Sequence, residues 1–149
     1  MKTENNKLNF AGGDFTIMGW IKTDKIESVI FSKDSPTINE GWGLMINTNG
    51  KLSYSIYGAA GTSIEDTGTK LVADDVWHHI GVVHEADKYK FYVDGDLNIE
   101  KTSTVVGAAN NFDLRIGYKN KDYDPDTATV ANQPVEKNIA GAFSGLIEE

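Results

Sequence analysis

Trp77–Gly95 reads WHHIGVVHEADKYKFYVDG, and the fold follows from how its two halves can pair. Residues directly opposite on neighbouring strands share a face, so register decides which side chains can build an apolar surface. A four-residue loop, Glu85-Ala86-Asp87-Lys88, sets His84 opposite Tyr89, Val82 opposite Phe91 and Ile80 opposite Val93. Ile80, Val82, Phe91 and Val93 then line one face. His79, Gly81, Val83, Lys90 and Tyr92 line the other, which is small and half polar, so one side packs a core and the other meets water or a ligand. At the next turn a two-residue loop would pair Phe91 with Asn98. A three-residue loop, Val93-Asp94-Gly95, pairs Phe91 with Leu97 and Tyr89 with Ile99, and is the reading favoured here, with Gly95 in the left-handed region.

Working outward, Trp42–Asn47 and Leu52–Tyr57 form a second hairpin around Asn49-Gly50. A three-residue loop, Thr48-Asn49-Gly50, puts Trp42, Leu44, Ile46, Leu52, Tyr54 and Ile56 on one core face and turns Met45, Ser53, Ser55 and Tyr57 away. Asp14–Ile21 reads as a buried strand and Ser28–Ser32 as a short one, followed by a polar loop, Lys33–Gly41. The face of Trp20 stays open, because Gly19 could mark a bulge. Gly58–Gly68 reads as a connection rich in small residues and threonine. Phe112–Gly117 alternates, with Phe112, Leu114 and Ile116 inward and Asp113 and Arg115 outward. Tyr118–Asn138 reads as a long polar loop, of a length that points to function or disorder. Many short strands with glycine-rich turns, and no sustained helical period, predict an all-β fold: a two-sheet antiparallel β-sandwich.

The 149 residues suit a single domain, spanning 1–149. Cysteine is absent, so disulfides and thiolate metal sites are excluded. A net charge of −8 argues against nucleic acid or an anionic membrane as partner. No apolar run approaches the roughly 20 residues that span a bilayer, and Met1–Asn6 lacks the apolar segment of a signal peptide. Phe143–Glu149 begins like a strand and stops abruptly, so the expectation is a domain excised from a larger protein with flanking domains.

In order along the chain, FTIMGWIKTD, GWGLMINTNGKLSYSI, WHHIGVVHEADKYKFYVDGDL, FDLRIGY and FSGLIEE resemble the laminin-G-like, concanavalin A-like jelly-roll domains of bacterial surface and carbohydrate-active proteins. The resemblance covers Leu8–Glu149 and implies two antiparallel sheets, one face of which relatives use for glycans, for protein ligands or, in a few branches, for catalysis. The family's closing motif carries Asp where this chain has Glu148, a position that in related sandwiches can help to bind Ca²⁺.

Glycosidases on such a fold need paired carboxylates about 5–5.5 Å apart in the retaining class. No strand offers them at alternating positions: Glu65 and Asp66 are adjacent and point to opposite faces, and Asp113 stands with Arg115. The expectation is therefore not an enzyme. His78 and His79 diverge for the same reason and cannot grip one ion. The best Ca²⁺ candidate is Asp122, Asp124 and Asp126, whose spacing matches the first ligand positions of an EF-hand loop, although Thr127 and Gln133 break the rest of that pattern, and the alternative is a solvated acidic loop. For ligand binding, sugars need aromatic rings and planar polar groups on a rigid scaffold. Tyr57, Tyr92, Asp113 and Arg115 on outward strand positions, with Tyr118, Asn120 and Tyr123 on the following loop, form the candidate set. The alternative is that these tyrosines cover strand edges and Asp113–Arg115 is a surface pair. The function expected is a non-catalytic, lectin-like carbohydrate-binding module of an extracellular or cell-surface protein. The alternatives are a protein-binding adhesion module or a structural accessory domain.

Overall fold

In a computed structural model, the described residues are 8–10, 13–35, 40–58, 62–110, 112–117, 119–120, 139–140 and 145–148. They form twelve strands: β1 (Phe15–Lys22), β2 (Ser28–Ser35), β3 (Glu40–Ile46), β4 (Lys51–Tyr57), β5 (Ser63–Leu71), β6 (Trp77–Glu85), β7 (Lys88–Val93), β8 (Asp96–Thr102), β9 (Arg115–Ile116), β10 (Lys119–Asn120), β11 (Ile139–Ala140) and β12 (Leu146–Glu148). One antiparallel sheet has the order β12-β1-β6-β7-β8 and the other β5-β4-β3-β2-β9, with β10 and β11 paired separately. This is the expected two-sheet antiparallel sandwich.

The core lies between the sheets. Ile21, Ile80, Val82, Tyr89, Phe91 and Val93 from the first meet Trp42, Leu44, Ile46, Leu52, Tyr54 and Ile56 from the second. Tyr54 stacks on Phe91 with ring centroids 4.0 Å apart. Burying such side chains supplies roughly 1.5–3 kcal/mol each, which is what holds two sheets face to face. The first hairpin takes the register that its sequence predicts, His84↔Tyr89, Val82↔Phe91 and Ile80↔Val93, and adds Glu85↔Lys88, so that only Ala86-Asp87 turn. The second hairpin also keeps its predicted register, Ile46↔Leu52 through Trp42↔Ile56, with Gly50 at φ +72° closing the three-residue loop.

The third turn differs from expectation. Asp94 and Gly95 both have positive φ, 55° and 84°, and form a two-residue turn with Val93 opposite Asp96. The register then shifts between Phe91 and Tyr92, so Phe91 faces Ile99 and Asn98 is the extra residue. The bulge keeps Ile99 against the core. It also aims Asn98 across to β5, where its Oδ1 accepts from Thr69 N (3.0 Å), Thr69 Oγ1 (2.8 Å) and Lys70 N (3.1 Å). Gly68 is required there, because a Cβ would overlap the Asn98 amide. A second difference is β5 itself, which occupies what the sequence reads as a connection. Only Ile64 of β5 joins the core, so its apolar signal is weak.

Two of the three histidines, His78 and His84, are structural. His84 is buried against Phe15 and Tyr89, its Nδ1 3.0 Å from the Gly13 carbonyl. His78 places Nδ1 2.9 Å from Asp94 Oδ2 and Nε2 3.0 Å from Asp74 Oδ1, two bonds that it donates together only as the doubly protonated ring. Partial burial pushes the Asp94 carboxyl up, but hydrogen bonds from Lys70, His78 and the His79 N–H outweigh it and hold the group at about 2.

Candidate functional site: the polar outer face of the second sheet

Cross-strand register places Arg115, Ser32, Gly43, Ser55 and Glu65 in one row across β9, β2, β3, β4 and β5. Asp34, Gly41, Tyr57 and Ser63 form the next row. Because Trp42, Leu44, Tyr54 and Ile56 alternate with these residues and pack the core, both rows lie on the outer face. Outer faces normally leave polar groups in water. Here Ser32 and Asp34 are 1% exposed, Ser55 4% and Arg115 8%.

Gly43 leaves a gap in the middle of this array, where a Cβ would sit 3.5 Å from Ser55 Oγ and 3.6 Å from Asp34 Oδ2. Ser55 Oγ has no hydrogen-bond partner among the described residues. At the open edge the Tyr57 hydroxyl donates to Glu65 Oε1 at 3.0 Å. The face thus holds a buried guanidinium, carboxylate and hydroxyl around a glycine floor, with a tyrosine ring at its rim.

Lys33 sets the geometry. It points to the opposite side of β2 from Ser32 and Asp34 and is fully buried. Its Nζ donates to Asn110 O (3.2 Å), Asn110 Oδ1 (2.8 Å) and Phe112 O (2.8 Å). Asn110 Nδ2 returns a bond to the Lys33 carbonyl at 3.1 Å. This clamp fixes the segment leading into β9 and so brings Arg115 beside Ser32. Gly41, at φ +99°, permits it, since a Cβ there would overlap Asn110 and the Lys33 carbonyl. Burial pushes the Lys33 ammonium down, opposed by the Asp113 carboxylate.

The structure divides the candidate set read from sequence. Tyr57 and Arg115 share this face, as their outward assignment requires, but Arg115 is buried rather than solvated. The alternation read over Phe112–Gly117 fails: only Arg115–Ile116 is strand, Leu114 is exposed at 37% and Ile116 at 55%, while Phe112 is buried. The reason is the clamp, which holds Asn110 and Phe112 off the sheet before β9 begins. Asp113 is exposed. Tyr92 lies on the outer face of the other sheet, opposite Gly81, and cannot join a common site with Tyr57. Tyr118, Tyr123, Asp122, Asp124 and Asp126 lie outside the described residues, and Asn120 is described only as a strand residue of β10. Ser32, Asp34, Ser55 and Glu65 are additions. Extending the Ser28–Ser32 strand by two residues would have put Asp34 beside Ser32 on the outward side.

Among the described residues, register places two carboxylates on this face, Asp34 on β2 and Glu65 on β5. Three inter-strand spacings separate those strands, about 14 Å at 4.8 Å each. Both glycosidase geometries need their carboxyl groups within about 9.5 Å.

A two-sheet all-β sandwich carrying a preorganised polar face belongs to the broad class of jelly-roll domains. The chain is a member of the concanavalin A-like lectin/glucanases superfamily, whose family model matches residues 1–132. Among curated proteins, none matches the chain. Among solved structures it is similar to the Ruminococcus gnavus IT-sialidase CBM40, with TM-score 0.67 and 15% identity over 93% of this chain and 74% of that one. The mouse laminin alpha1 chain, domains LG4-5, gives TM-score 0.61 and 19% identity over 91% of this chain and 34% of that one. The binding domain of Paraclostridial Mosquitocidal Protein 1 gives 0.58 and 20%, over 68% and 28%. The chain thus spans about a third or less of the laminin and toxin chains. Among the described residues no helix is long and apolar enough to cross a membrane.

Proposed function

We infer that this chain is a non-catalytic carbohydrate-binding module of an exported or cell-surface protein, and that saccharide hydroxyls meet the polar outer face of the second sheet. The observation that carries this reading is the burial of Ser32, Asp34, Ser55 and Arg115 on a sheet face turned away from the core. Ordered polar groups around a gap are the arrangement that fixes hydroxyl-rich ligands, because their hydrogen bonds are oriented before binding. Ser55 Oγ is buried and without a partner among the described residues, so a sugar hydroxyl that reached it would satisfy it. Tyr57 supplies the ring at the rim. Two structural relatives support the class: the R. gnavus CBM40 has been solved bound to alpha2,3 sialyllactose, and a Botulinum Neurotoxin DC binding domain in complex with SialylT. The wide separation of Asp34 and Glu65 argues for binding without hydrolysis.

The test is a glycan array probed with the isolated domain, followed by titration of each hit against Ser55→Ala, Tyr57→Ala and Arg115→Lys. Binding that weakens at least tenfold in Ser55→Ala, with the unfolding midpoint at or above the parent's, supports the assignment. A glycan bound equally by all three variants removes this face from the account.

A further inference from the structure

Gly81 occupies the middle of β6, a strand hydrogen-bonded on both sides, directly opposite Met18 of β1 and Tyr92 of β7. Glycine weakens a strand interior and is found there for a bulge, for a backbone angle that side chains resist, or for close approach of a ligand or another backbone. The first two reasons fail here. Both pairings run through Met18↔Gly81↔Tyr92 without a shift, and Gly81 is not among the positive-φ glycines. Nor does the fold itself crowd the position. Among the described residues a Cβ on Gly81 would meet only Tyr92 Cβ at 3.8 Å and the Ile17 carbonyl at 3.9 Å, both ordinary contacts.

The surroundings say what approaches. Met18 and Trp20 stand on the same outer face at 59% and 43% exposure, in a strand without a bulge, which settles the orientation of Trp20. Trp20 is braced edge-on by His79, its direct cross-strand partner, with ring centroids 5.2 Å apart. Gly81, itself buried, lies low between Met18 and Tyr92, whose strands lie two inter-strand spacings apart, about 10 Å. Rigid aromatic rings beside such a seat suit an apolar sugar face, while the His79 imidazole and Tyr92 hydroxyl can meet its edge hydroxyls.

Charge then narrows the ligand. The lysines of this face are each paired among the described residues, Lys22 with Asp75 at 3.8 Å, Lys88 with Glu100 at 2.8 Å and Lys90 with Glu85 at 2.8 Å. Among the described residues no lysine of this face is left unpaired, and the chain's net charge of −8 opposes a second copy on this flat face. We propose that the Trp20–Gly81–Tyr92 seat is a second saccharide site, on the opposite side of the sandwich from Ser55 and Arg115, that takes a neutral pyranose ring.

The experiment is a two-dimensional NMR titration of the labelled domain with cellobiose, maltose, lactose and mannobiose. The indole N–H of Trp20 is the reporter, and that of Trp42, which donates to the Leu8 carbonyl at 3.0 Å, is the internal control. At least one of the four disaccharides moves the Trp20 signal and leaves Trp42 in place. Gly81→Val weakens that response at least tenfold yet melts at or above the parent temperature, because a β-branched residue suits a central strand. Gly81→Ala is equally stable and intermediate in binding. Ser55→Ala leaves the Trp20 response intact, which separates this seat from the polar face. The proposal is overturned if none of the four sugars moves Trp20, or if Gly81→Val binds like the parent. It is equally overturned if Gly81→Ala melts well below the parent, or if Trp20 responds to protein concentration instead of sugar, the mark of a second copy in the seat.

Discussion

Replacing Lys33 by methionine tests how the polar face is held. The substitution keeps the buried stem and removes the ammonium that donates to Asn110 O, Asn110 Oδ1 and Phe112 O. Asn110 Oδ1 retains the Phe112 N–H at 3.1 Å, so the loss falls on the two main-chain carbonyls. A buried acceptor that loses its donor costs about 1–3 kcal/mol, roughly 2–6 kcal/mol for two. Part of this is offset because an ammonium no longer has to be desolvated, the effect that already pushes the Lys33 ammonium down. The net expectation is a loss of about 2–4 kcal/mol. With a urea slope of about 2 kcal/mol per molar, unfolding followed by tryptophan fluorescence should show the midpoint falling by roughly 1–2 M. Asn110→Ala breaks the same clamp, so the double variant should lose clearly less than the two single losses added. A Lys33→Met midpoint within about 0.2 M of the parent, or strict additivity with Asn110→Ala, refutes the clamp.

Acid should weaken the fold through Asp94. Its carboxyl is held at about 2, below its unfolded value, so the stabilisation is present above about pH 4 and is lost as pH falls from 4 towards 2. A third of the side chain is exposed, so the contribution is set at about 1 kcal/mol rather than the full shift. Asp94→Asn should flatten the acid limb of the stability curve measured by urea unfolding from pH 7 to 2, and an unchanged limb counts against this network. Tyr54→Phe should stabilise the protein by up to about 1 kcal/mol, because Tyr54 Oη is buried without a partner among the described residues and the ring stack on Phe91 survives. A thermal midpoint lower than the parent's contradicts that reading.

The sequence made the sandwich legible because parity fixes faces wherever the alternation is strong. Both hairpins with clean apolar faces, Ile80/Val82 against Phe91/Val93 and Leu44/Ile46 against Leu52/Tyr54, have the register that their turns predict. The third turn misled because two events compensate. A tighter Asp94-Gly95 turn and the Asn98 bulge return Ile99 to the core, and neither alone is visible in an alternating pattern. β5 escaped for a different reason: serine, threonine and glycine on an edge strand carry little apolar signal. The candidate site was half legible. Tyr57 and Arg115 were placed outward by alternation, but Asp34 was lost in a supposed loop. The burial of Arg115 depends on Lys33 and Asn110, 77 positions apart in the chain, and no local pattern encodes that contact. Gly81 could be read as outward from register alone, whereas its lack of any internal purpose emerges only from the atoms around it.

The most direct measurement of the central claim is calorimetric titration of the isolated domain and its Ser55→Ala variant with a glycan selected on an array. The parent should bind saturably, and the variant should bind at least tenfold more weakly with an unfolding midpoint at or above the parent's. Equal affinity in both proteins, or no glycan bound by the parent at all, would contradict the claim.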